Sequence, residues 1–500
     1  MKKLILVIVF FYSVDAVGQN RNSVWCFGDS AGIDFSSGTA QPIISGMVGR
    51  GSCVSISNQL GQLQYYAFTR AGIGGPSAQV FDASHQIMQN GDSIIGQGWY
   101  QEMIIFPDPI LDSTYYLFSI GVTNSSLPGL FYSKIEFSGA YPLGRIIQKN
   151  IQLQNFKMVD CLNAVKHGNG RDWWIIFRRI DGPTSPNNDF YTYLITPNGI
   201  QNFSVQTIGV LNRTNLAHIN FSPFGDKLVF SNLVDLVEIY NFNRCTGQLD
   251  NPIVINNDPG NTPYNYTWSS EFSPDASKLY VSTNQDTSYL FQNDLNAPNI
   301  SASRDTLWST NYPPNTCGVL KLAPDNKIYL SSVYYAPTVP YFPYADSMYN
   351  SYNMNLSVIN QPDSLGVACD FQPYSFYLGG KRTYLGLPNN PNYDMPALAG
   401  SPCDTLVGIS EPNPSIITPQ LNIFYHPKWE TVFINADKLT CTKGTMEIFD
   451  GQGKLVHQED IQIVNGYYTR NFNMTGMAEG MYFVDLISSR QRLSGKLLKY

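Results

Sequence analysis

The chain has 500 residues, of which 43% are hydrophobic and 13% aromatic, so it has ample material for a core and is not disordered. Charged residues reach only 14%, while 40 Gly and 31 Pro supply turns, a composition that disfavours helices and favours short strands. The formal net charge of −7 includes no basic cluster, which argues against a nucleic-acid partner or a polybasic membrane contact. At about 150 residues per domain, we expect two or three mostly β domains.

The first residues have the pattern of a secretory signal peptide. Two lysines precede the apolar run Leu4–Tyr12, and Ala16 and Gly18 place small residues at −3 and −1 of a cleavage site. The run is too short for an anchor helix, which needs about 20 apolar residues. We predict that residues 1–18 are removed and that the mature chain contains no transmembrane segment.

A turn-plus-strand phrase recurs about every 50 residues. Its clearest copies begin at Phe221, Phe272 and Leu322, each with an apolar strand end, a Pro-Asp or Pro-x-Gly turn and a second apolar strand. Weaker copies lie at Asn58–Phe68, Phe106–Ser119, His167–Ile176 and Asp370–Tyr377. The sequence therefore contains seven units of this kind.

A WD40-like period with β patterning indicates radial repetition of four-stranded sheets, because one such sheet cannot bury both of its faces alone. We therefore predict an all-β fold, with a β-propeller of about seven blades over residues 19–386; six or eight blades remain open. Val24–Phe35 precedes the first unit, and we expect it to add a strand to the last blade and close the ring. Leu228, Leu279 and Ile328 should lie on equivalent strands.

The cysteines give two expectations. None of the eight forms a C-x-x-C pair or lies at ligand spacing from a His, so we predict no metal site and no cofactor; disulfides are plausible after export, with the pairing open. Alignment of the units places four of them on the strands nearest the channel, namely Cys53, Cys161, Cys317 and Cys369. They are either thiols that bind metal or bridge blades, for example Cys317 with Cys369, or small buried side chains.

Five segments carry a family resemblance. They are Trp25–Phe35, Asn163–Trp174, Phe242–Gly247, Cys317–Leu330 and Gly386–Asn389. Together they resemble a group of secreted Bacteroidetes propeller proteins, over most of residues 20–390. The resemblance implies an exported propeller and supplies no catalytic residues, which stay unknown.

The composition changes after Gly386. Seven prolines between positions 388 and 419 predict a linker at residues 387–420. Short strands return from Leu421, and Asp450–Gly453 has the sequence of a tight hairpin turn. Six or seven strands in about 80 residues predict a small Ig-like β-sandwich at residues 421–500.

Three motifs of this last segment carry a second resemblance. They are the hairpin Ile448–Val456, the strand Met477–Val484 and the terminal Lys496–Lys499. The segment resembles the type A C-terminal sorting domain of the Bacteroidetes type IX secretion system. This implies a sorting signal that includes Gly480, Tyr482 and Lys496, the type IX machinery as partner, and delivery through the periplasm and outer membrane to the surface or the medium. One departure is Tyr425–Lys428, where family members read Tyr-Pro-Asn-Pro.

One motif suggests an esterase. Gly28–Gly32 matches G-x-S-x-G and resembles the nucleophile block of GDS-type esterases. A nucleophile elbow needs a strand before it and a helix after it, whereas Ile33–Gly38 begins another turn. The only Asp-x-x-His is Asp82–His85, far from the late position that those esterases use. We therefore predict that Ser30 is dispensable.

Other chemical signals leave two functions open. Arg171–Trp174 is either a sugar-binding surface or a turn ion pair followed by core aromatics, and the five His are too scattered to predict a metal site. We favour a non-catalytic surface module that binds glycan or protein; the alternative is a propeller hydrolase or lyase acting on extracellular polysaccharide. Neutral polar and aromatic groups at the channel mouth favour binding, and convergent carboxylates favour catalysis.

Overall fold

The computed structural model divides the chain into two units, Met1–Val407 and Gly408–Tyr500. It describes residues 20–499 except 71–76, 123–124, 181–184, 235, 258–265, 285–286, 312–313, 335–348, 405–419, 428–429, 438, 440, 464–467 and 489–491. The predicted signal peptide, residues 1–18, lies outside the described part. What is described is all-β, apart from short 3-10 turns such as Asn20–Asn22, Ser301–Ser303 and Gly366–Cys369. No helix within it is long and apolar enough to cross a membrane.

The first four sheets of the N-terminal unit are antiparallel. Sheet 1 contains β1 (Val24–Phe27), β2 (Asp29–Asp34) and β3 (Gln41–Val48), and sheet 2 contains β4 (Cys53–Ser57), β5 (Leu63–Phe68) and β6 (Gln79–Asp82). Sheet 3 contains β7 (Met103–Pro107), β8 (Thr114–Gly121), β9 (Gly129–Ser138) and β10 (Tyr141–Gln154). Sheet 4 contains β11 (Asn163–Lys166), β12 (Trp173–Arg178), β13 (Asn187–Thr196), β14 (Gly199–Ile200) and β15 (Ser204–Asn212). Strands thus pair mainly with their neighbours in sequence.

Three further sheets follow the same order. Sheet 5 contains β16 (Ala217–Phe221), β17 (Lys227–Asn232), β18 (Val237–Asn243) and β19 (Gln248–Asn256). Sheet 6 contains β20 (Thr267–Phe272), β21 (Lys278–Thr283), β22 (Thr287–Asp294) and β23 (Asp305–Asn311). Sheet 7 contains β24 (Asn315–Leu322), β25 (Ile328–Tyr334), β26 (Asn355–Ile359) and β27 (Phe371–Tyr377). The described residues of this unit therefore form seven sheets.

The repeated turn phrase joins the first and second strands of a sheet. Leu228, Leu279 and Ile328 each pair with the last residue of the preceding first strand, which confirms that they are equivalent. Two residues after the turn proline, the backbone has positive φ in all three copies, at Gly225 (69°), Ala276 (55°) and Asn326 (60°). Because Gly and Asn adopt this conformation readily, two of the three copies carry a residue suited to it.

Each sheet packs against the next, and the seventh packs against the first. Ring contacts join sheets 2 and 3 (Tyr65 with Tyr115), 3 and 4 (Phe106 with Trp173), 4 and 5 (Phe190 with Tyr240), and 7 and 1 (Tyr329 with Trp25). The other neighbouring sheets share buried hydrophobic clusters, which contain Met47 and Phe68 of sheets 1 and 2, Val229 and Val281 of sheets 5 and 6, and Tyr280 and Leu330 of sheets 6 and 7. Middle strands such as β8 are buried throughout because both of their faces meet a neighbouring sheet.

Two predictions about the repeat are wrong. Val24–Phe35 does not add a strand to the last sheet; it forms β1 and β2, which pair with β3 in a sheet of their own. Asp370–Tyr377 is not a separate unit, because it contributes the outermost strand, β27, of sheet 7. Sheets 7 and 1 meet instead through packing, and just after sheet 7 the chain forms an ion pair with sheet 1, in which Nε and a terminal nitrogen of Arg382 lie 2.9 Å from Oδ2 of Asp29.

The aligned cysteines agree with prediction only in part. Cys53 and Cys317 lie on the first strands β4 and β24, and Cys161 lies just before β11, but Cys369 ends the 3-10 turn between β26 and β27. All four are buried free thiols, so the suggested bridge between Cys317 and Cys369 is wrong. Burial raises the pKa of the Cys161 thiol to about 12, which keeps it protonated and a poor metal ligand.

The predicted boundary at residue 386 also differs from the structure. The N-terminal unit extends to Val407, and Leu387, Tyr393 and Met395 are buried in it although they fall in the predicted linker. A disulfide between Cys245 and Cys403 fastens the end of this stretch to the β18–β19 turn. The prolines there lie in a packed stretch that contains no strand, and the rest of the predicted linker, 405–419, lies outside the described residues.

The C-terminal unit consists of two antiparallel sheets. One contains β28 (Gln420–His426), β29 (Thr431–Asp437) and β32 (Tyr468–Asn473). The other contains, in spatial order, β31 (Leu455–Gln462), β30 (Lys443–Asp450), β33 (Gly480–Ile487) and β34 (Arg492–Lys499). Residues from both sheets form one buried cluster, among them Ile434, Met446, Ile448, Val484 and Leu486. The hairpin turn predicted at Asp450–Gly453 is confirmed, with Oδ1 of Asp450 accepting the backbone N–H of Gln452 and Lys454.

Candidate functional site

After sheet 7 the chain crosses the first strands of the other sheets; we call residues 382–404 the crossing segment. The backbone oxygen of Leu385 accepts the N–H of Val319 on β24 and the hydroxyl of Ser331 on β25. Gly386 lies so close to Gly51 that a Cβ added to it would be 1.9 Å from the Gly51 oxygen. Only glycine fits at this crossing without moving the backbone.

Asn389 is the most connected residue of the crossing segment. Its side-chain amide donates to the backbone oxygens of Met103 on β7 and of Leu162, just before β11, both at 2.9 Å. Its backbone N–H donates to the oxygen of Cys53 on β4 at 2.8 Å, and its side-chain oxygen accepts Nε2 of Gln101 at 3.2 Å. One asparagine therefore supplies donors to carbonyl groups from three sheets.

Asn390 extends this contact to two more sheets. Its side chain donates to Oδ1 of Asn22 at 2.7 Å and accepts the backbone N–H of Ser55 at 3.0 Å. Its backbone oxygen accepts Nζ of Lys321, on β24, at 3.0 Å. Asn22 precedes β1. Asn390 therefore connects sheets 1, 2 and 7.

Beside Asn390 lies a cavity of about 420 Å³, which we call the asparagine-lined cavity. Its lining includes Asn22, Asn163, Asn220, Asn326, Asn390 and Asn392, together with the turn prolines Pro223, Pro274 and Pro324. The repeated turn phrase thus builds one rim of the cavity. The volume falls within the range of about 300–1,000 Å³ that is usual for small-molecule sites.

Two ionisable groups line this cavity, Glu271 and Lys321. The Glu271 carboxylate accepts the backbone N–H groups of Phe272 at 3.0 Å and Leu322 at 3.2 Å. Burial raises the pKa of Glu271, and the nearby ammonium of Lys321 opposes that rise. Burial likewise lowers the pKa of Lys321 while Glu271 opposes the fall, so the two charges stabilise one another.

Two smaller cavities lie around His218 and Tyr100, and Asn389 lines one of them. Each has a volume of about 10 Å³, and Trp268 lines the other. Burial lowers the pKa of His218 to about 4, so its ring is neutral near pH 7. Nothing in its local sequence distinguishes His218 from the other four His.

A buried carboxyl pair, Glu102 and Asp160, fixes the loop before β7. Asp160 accepts the backbone N–H groups of Tyr100 and Gln101, both at 2.8 Å. Glu102 accepts three more, from residues 97–99. Burial raises the pKa of Glu102 to about 7, and burial together with the Glu102 charge raises the pKa of Asp160. These carboxyl groups accept hydrogen bonds from backbone N–H groups, and neither residue lines a cavity described above.

The esterase motif has a structural explanation. Gly28–Gly32 spans a strand–turn–strand hairpin from β1 to β2, with no helix after the serine. A Cβ on Gly28, whose φ is 59°, would lie 2.5 Å from the Arg382 oxygen, and one on Gly32 would lie 2.6 Å from the Trp25 oxygen. The glycines are therefore required by packing. His85 pairs through Nδ1 with the Tyr66 hydroxyl at 3.2 Å.

The sugar-surface interpretation of Arg171–Trp174 is wrong. Nε of Arg171 lies 2.7 Å from Oδ1 of Asp172 within the turn before β12. Trp173 and Trp174 are both buried, and the indole N–H of Trp174 donates to the Arg244 oxygen. The described residues contain no group of three or more His, Cys, Asp or Glu able to hold a metal ion.

In the C-terminal unit the three implied signal residues have different surroundings. Gly480 begins β33 with a φ of 147°, and Tyr482 is buried with its hydroxyl donating to the Ala478 oxygen at 2.7 Å. Lys496 is exposed on β34. Sequence reasoning missed Lys499, which is buried and donates through Nζ to two backbone oxygens, those of Met474 and Met477.

Comparison with protein families decides the nature of this unit. Residues 422–500 match the secretion system C-terminal sorting domain. The sorting domain directs export by type IX secretion to the cell surface or the extracellular space. The departure at Tyr425–Lys428 does not prevent the first strand, since β28 pairs with β29 in unbroken register.

Comparison with solved structures gives distant likenesses. The periplasmic gluconolactonase of Pseudomonas aeruginosa is 12% identical, with 81% of this chain and 97% of that chain covered and a TM-score of 0.37. A putative 6-phosphogluconolactonase from Bacteroides fragilis is 12% identical (81% and 96% covered, TM-score 0.34), and an auxiliary nutrient binding protein from Bacteroides thetaiotaomicron is 10% identical (56% and 67% covered, TM-score 0.35). Comparison with curated proteins gives no match. All three TM-scores are below 0.5, and the description of the fold rests on strand pairing and packing.

Replacing Asn389 by Asp tests the contact between the crossing segment and the first strands. The substitution keeps the shape but turns an N–H donor into an oxygen that faces two carbonyl oxygens. We expect a loss of about 2–6 kcal/mol in the free energy of unfolding, measured with urea, because two buried acceptors lose their partner. Asn198→Asp, in an exposed turn, should change it by less than about 0.5 kcal/mol. Equal effects of the two substitutions would refute the assignment.

The hairpin at Gly28 gives a second prediction. Gly28→Ala should lower the melting temperature, since the added Cβ meets the Arg382 oxygen at a positive φ.

Ser30→Ala should leave any esterase activity of the protein unchanged, as measured with a nitrophenyl ester. A fall to less than about a tenth of that activity in Ser30→Ala would instead identify Ser30 as a nucleophile.

The buried carboxyl pair gives a third prediction, on pH. The folded chain keeps the Glu102 proton up to a pKa of about 7, whereas an exposed Glu loses it near 4.5. Stability should therefore decline as pH rises through this window, by up to about 1.4 kcal/mol per pH unit for this group. Urea unfolding between pH 5 and 7 should show a shallower decline for Glu102→Gln than for the native chain. Glu136→Gln, a partly exposed control, should keep the native slope; an unchanged slope in Glu102→Gln contradicts the prediction.

Proposed function

We propose that this chain is an exported seven-bladed β-propeller that binds a glycan in the asparagine-lined cavity and is delivered by an Ig-like sandwich. In this proposal residues 1–18 are a cleaved signal peptide, and the propeller is a non-catalytic binding module. The single observation that carries the binding role is the cavity itself, with its six asparagines and its rim of repeated turn prolines.

The propeller is supported by the order and packing of the sheets. Seven sheets follow one another in sequence, and each shares buried side chains with the next. The contact of Trp25 with Tyr329 joins the last sheet to the first, and the ion pair of Asp29 with Arg382 joins the first sheet to the crossing segment. A closed set of this kind leaves only short edges exposed, which is how propellers avoid edge-to-edge pairing.

The sandwich is supported by the single buried cluster that two antiparallel sheets of three and four strands share. In β33 the apolar side chains alternate, with Tyr482, Val484 and Leu486 buried and Met481 and Phe483 exposed, while Asp485 is buried as well. This period of two is expected of a strand with one face in a core. A unit with its own core can serve as an address for unrelated cargo.

The glycan is supported by the chemistry of the cavity walls. Amides both donate and accept hydrogen bonds, as sugar hydroxyls do, and the prolines, Phe221 and Met395 add apolar surface for the C–H faces of a ring. The hydrolase alternative finds less support. Hydrolysis by the common route uses two carboxyl groups, whereas the cavity lining supplies that of Glu271, whose oxygens already accept backbone N–H groups.

Filling the cavity tests the binding role. We expect the full chain to retain sugars on a glycan array and Asn392→Trp, which places an indole at the cavity wall, to lose at least about tenfold in affinity. Asn198→Trp, on an exposed turn, should bind like the native chain. Retention that is unaffected by Asn392→Trp places binding elsewhere, and absence of any retained glycan refutes the proposal.

Removing the last strand tests the sorting role. Deletion from Leu493 onward takes away β34, exposes the edge of β33 and removes Lys496, so the chain should accumulate in the periplasm of a host with the secretion system. Immunoblots of the periplasm and medium measure this. Equal export of the truncated and full chains would show that the C-terminal unit is not the address.

A matched pair of substitutions separates signal from stability. Lys496→Ala removes an exposed ammonium and should reduce export while leaving the melting temperature unchanged. Lys499→Ala removes a buried one that holds the Met474 and Met477 oxygens, so it should lower the melting temperature.

A further inference from the structure

Two donors beside Asn390 in the asparagine-lined cavity have N–H bonds without an acceptor among the described residues. Oδ1 of Asn22 accepts both the indole N–H of Trp25 at 2.9 Å and the amide of Asn390 at 2.7 Å, so this oxygen is used. Nδ2 of Asn22 has no acceptor among the described residues. A ligand that meets Asn22 must therefore bring an acceptor oxygen.

Lys321 adds a stronger donor. Its ammonium has three N–H groups, and the described residues provide one acceptor, the Asn390 oxygen at 3.0 Å. Asn22 therefore contacts the side chain of Asn390, and Lys321 contacts the backbone oxygen of Asn390. This brings an amide N–H and an ammonium to the same part of the cavity wall.

Glu271 is the negative group nearest to this ammonium, and it is only 4% exposed. Each of its oxygens accepts one backbone N–H group, from Phe272 and from Leu322, and Glu271 forms no ion pair within 4 Å of the Lys321 ammonium. The remaining N–H bonds of the ammonium are therefore not directed to this carboxylate. The wall beside Asn390 presents an amide donor and an ammonium to a ligand.

We propose that the cavity selects sugars that carry a carboxylate, the uronic acids, with that carboxylate bound by Nζ of Lys321 and Nδ2 of Asn22. This rests on the proposed glycan function and names the class of sugar. A charge-assisted hydrogen bond to a carboxylate is stronger than one to a neutral hydroxyl, so the lysine distinguishes the two. The remaining amides and the apolar rim bind the part of the ring that both classes share.

Matched disaccharides test the proposal in the full chain. Cellobiose and its C6-oxidised counterpart, cellobiouronic acid, differ only in one carboxylate, and calorimetry gives both affinities. We expect the uronate to bind at least about tenfold more tightly than the neutral sugar. Lys321→Met should bring the ratio of the two affinities to about one, while Lys321→Arg should preserve the preference for the uronate.

Glu271→Gln supplies a result that a purely structural role would not give. Removal of a negative charge behind the lysine should tighten uronate binding by about threefold or more and leave cellobiose binding unchanged. Loss of both affinities in this variant counts against the proposal. Lys327→Met, whose ammonium instead contacts Oδ1 of Asn360, is the matched control and should bind both sugars as the native chain does.

The outcomes separate the two levels of the argument. Equal binding of both disaccharides, with no effect of Lys321→Met, overturns the uronate preference and leaves glycan binding in place. Binding of neither disaccharide, or of acidic peptides in their place, overturns both. Melting temperatures of each variant are measured alongside, and an unchanged melting temperature of Lys321→Met shows that its fold is intact.

Discussion

The hydrogen bonds of Asn389 are the interaction on which the N-terminal unit most depends. First strands that have neighbours on one side only present unpaired backbone groups to the interior, and each unpaired buried carbonyl costs free energy. The Asn389 amide and backbone satisfy carbonyls of Met103, Leu162 and Cys53 at once. Residues of the crossing segment, which come late in the chain, thereby fill the interior of this unit. They also form part of the wall of the asparagine-lined cavity.

Much of the fold was predictable because the turn phrase is determined by interactions between residues that are close in sequence. An apolar strand end, a turn proline and a residue at positive φ define a hairpin without reference to the rest of the chain, and this placed Leu228, Leu279 and Ile328 correctly. The sorting domain was predictable for a similar reason, since its hairpin at Asp450 and its strand at Gly480 are contiguous motifs. Export therefore followed from sequence alone.

What failed depends on contacts between distant residues. The crossing segment looks like a linker because its prolines and asparagines have no periodicity, yet Asn389 contacts residues nearly 300 positions earlier. The pairing of the strands of sheet 1 was predicted wrongly because the glycines around its β1–β2 turn pack against the backbone oxygens of Arg382 and Trp25. No local sequence pattern reveals these contacts. The cavity residues Glu271 and Lys321 were missed because each is an ordinary strand-end residue until sheets 6 and 7 bring them together.

The disulfide between Cys245 and Cys403 imposes an order of events on the molecule's assembly. Its second thiol comes 158 residues after its first, beyond every strand of the N-terminal unit. During synthesis and passage to an oxidising compartment, the seven sheets are therefore complete in sequence before this covalent link forms. The crossing segment is synthesised after every described strand of this unit, and the disulfide then holds its far end at the β18–β19 turn, which limits how far the segment can move from the interior.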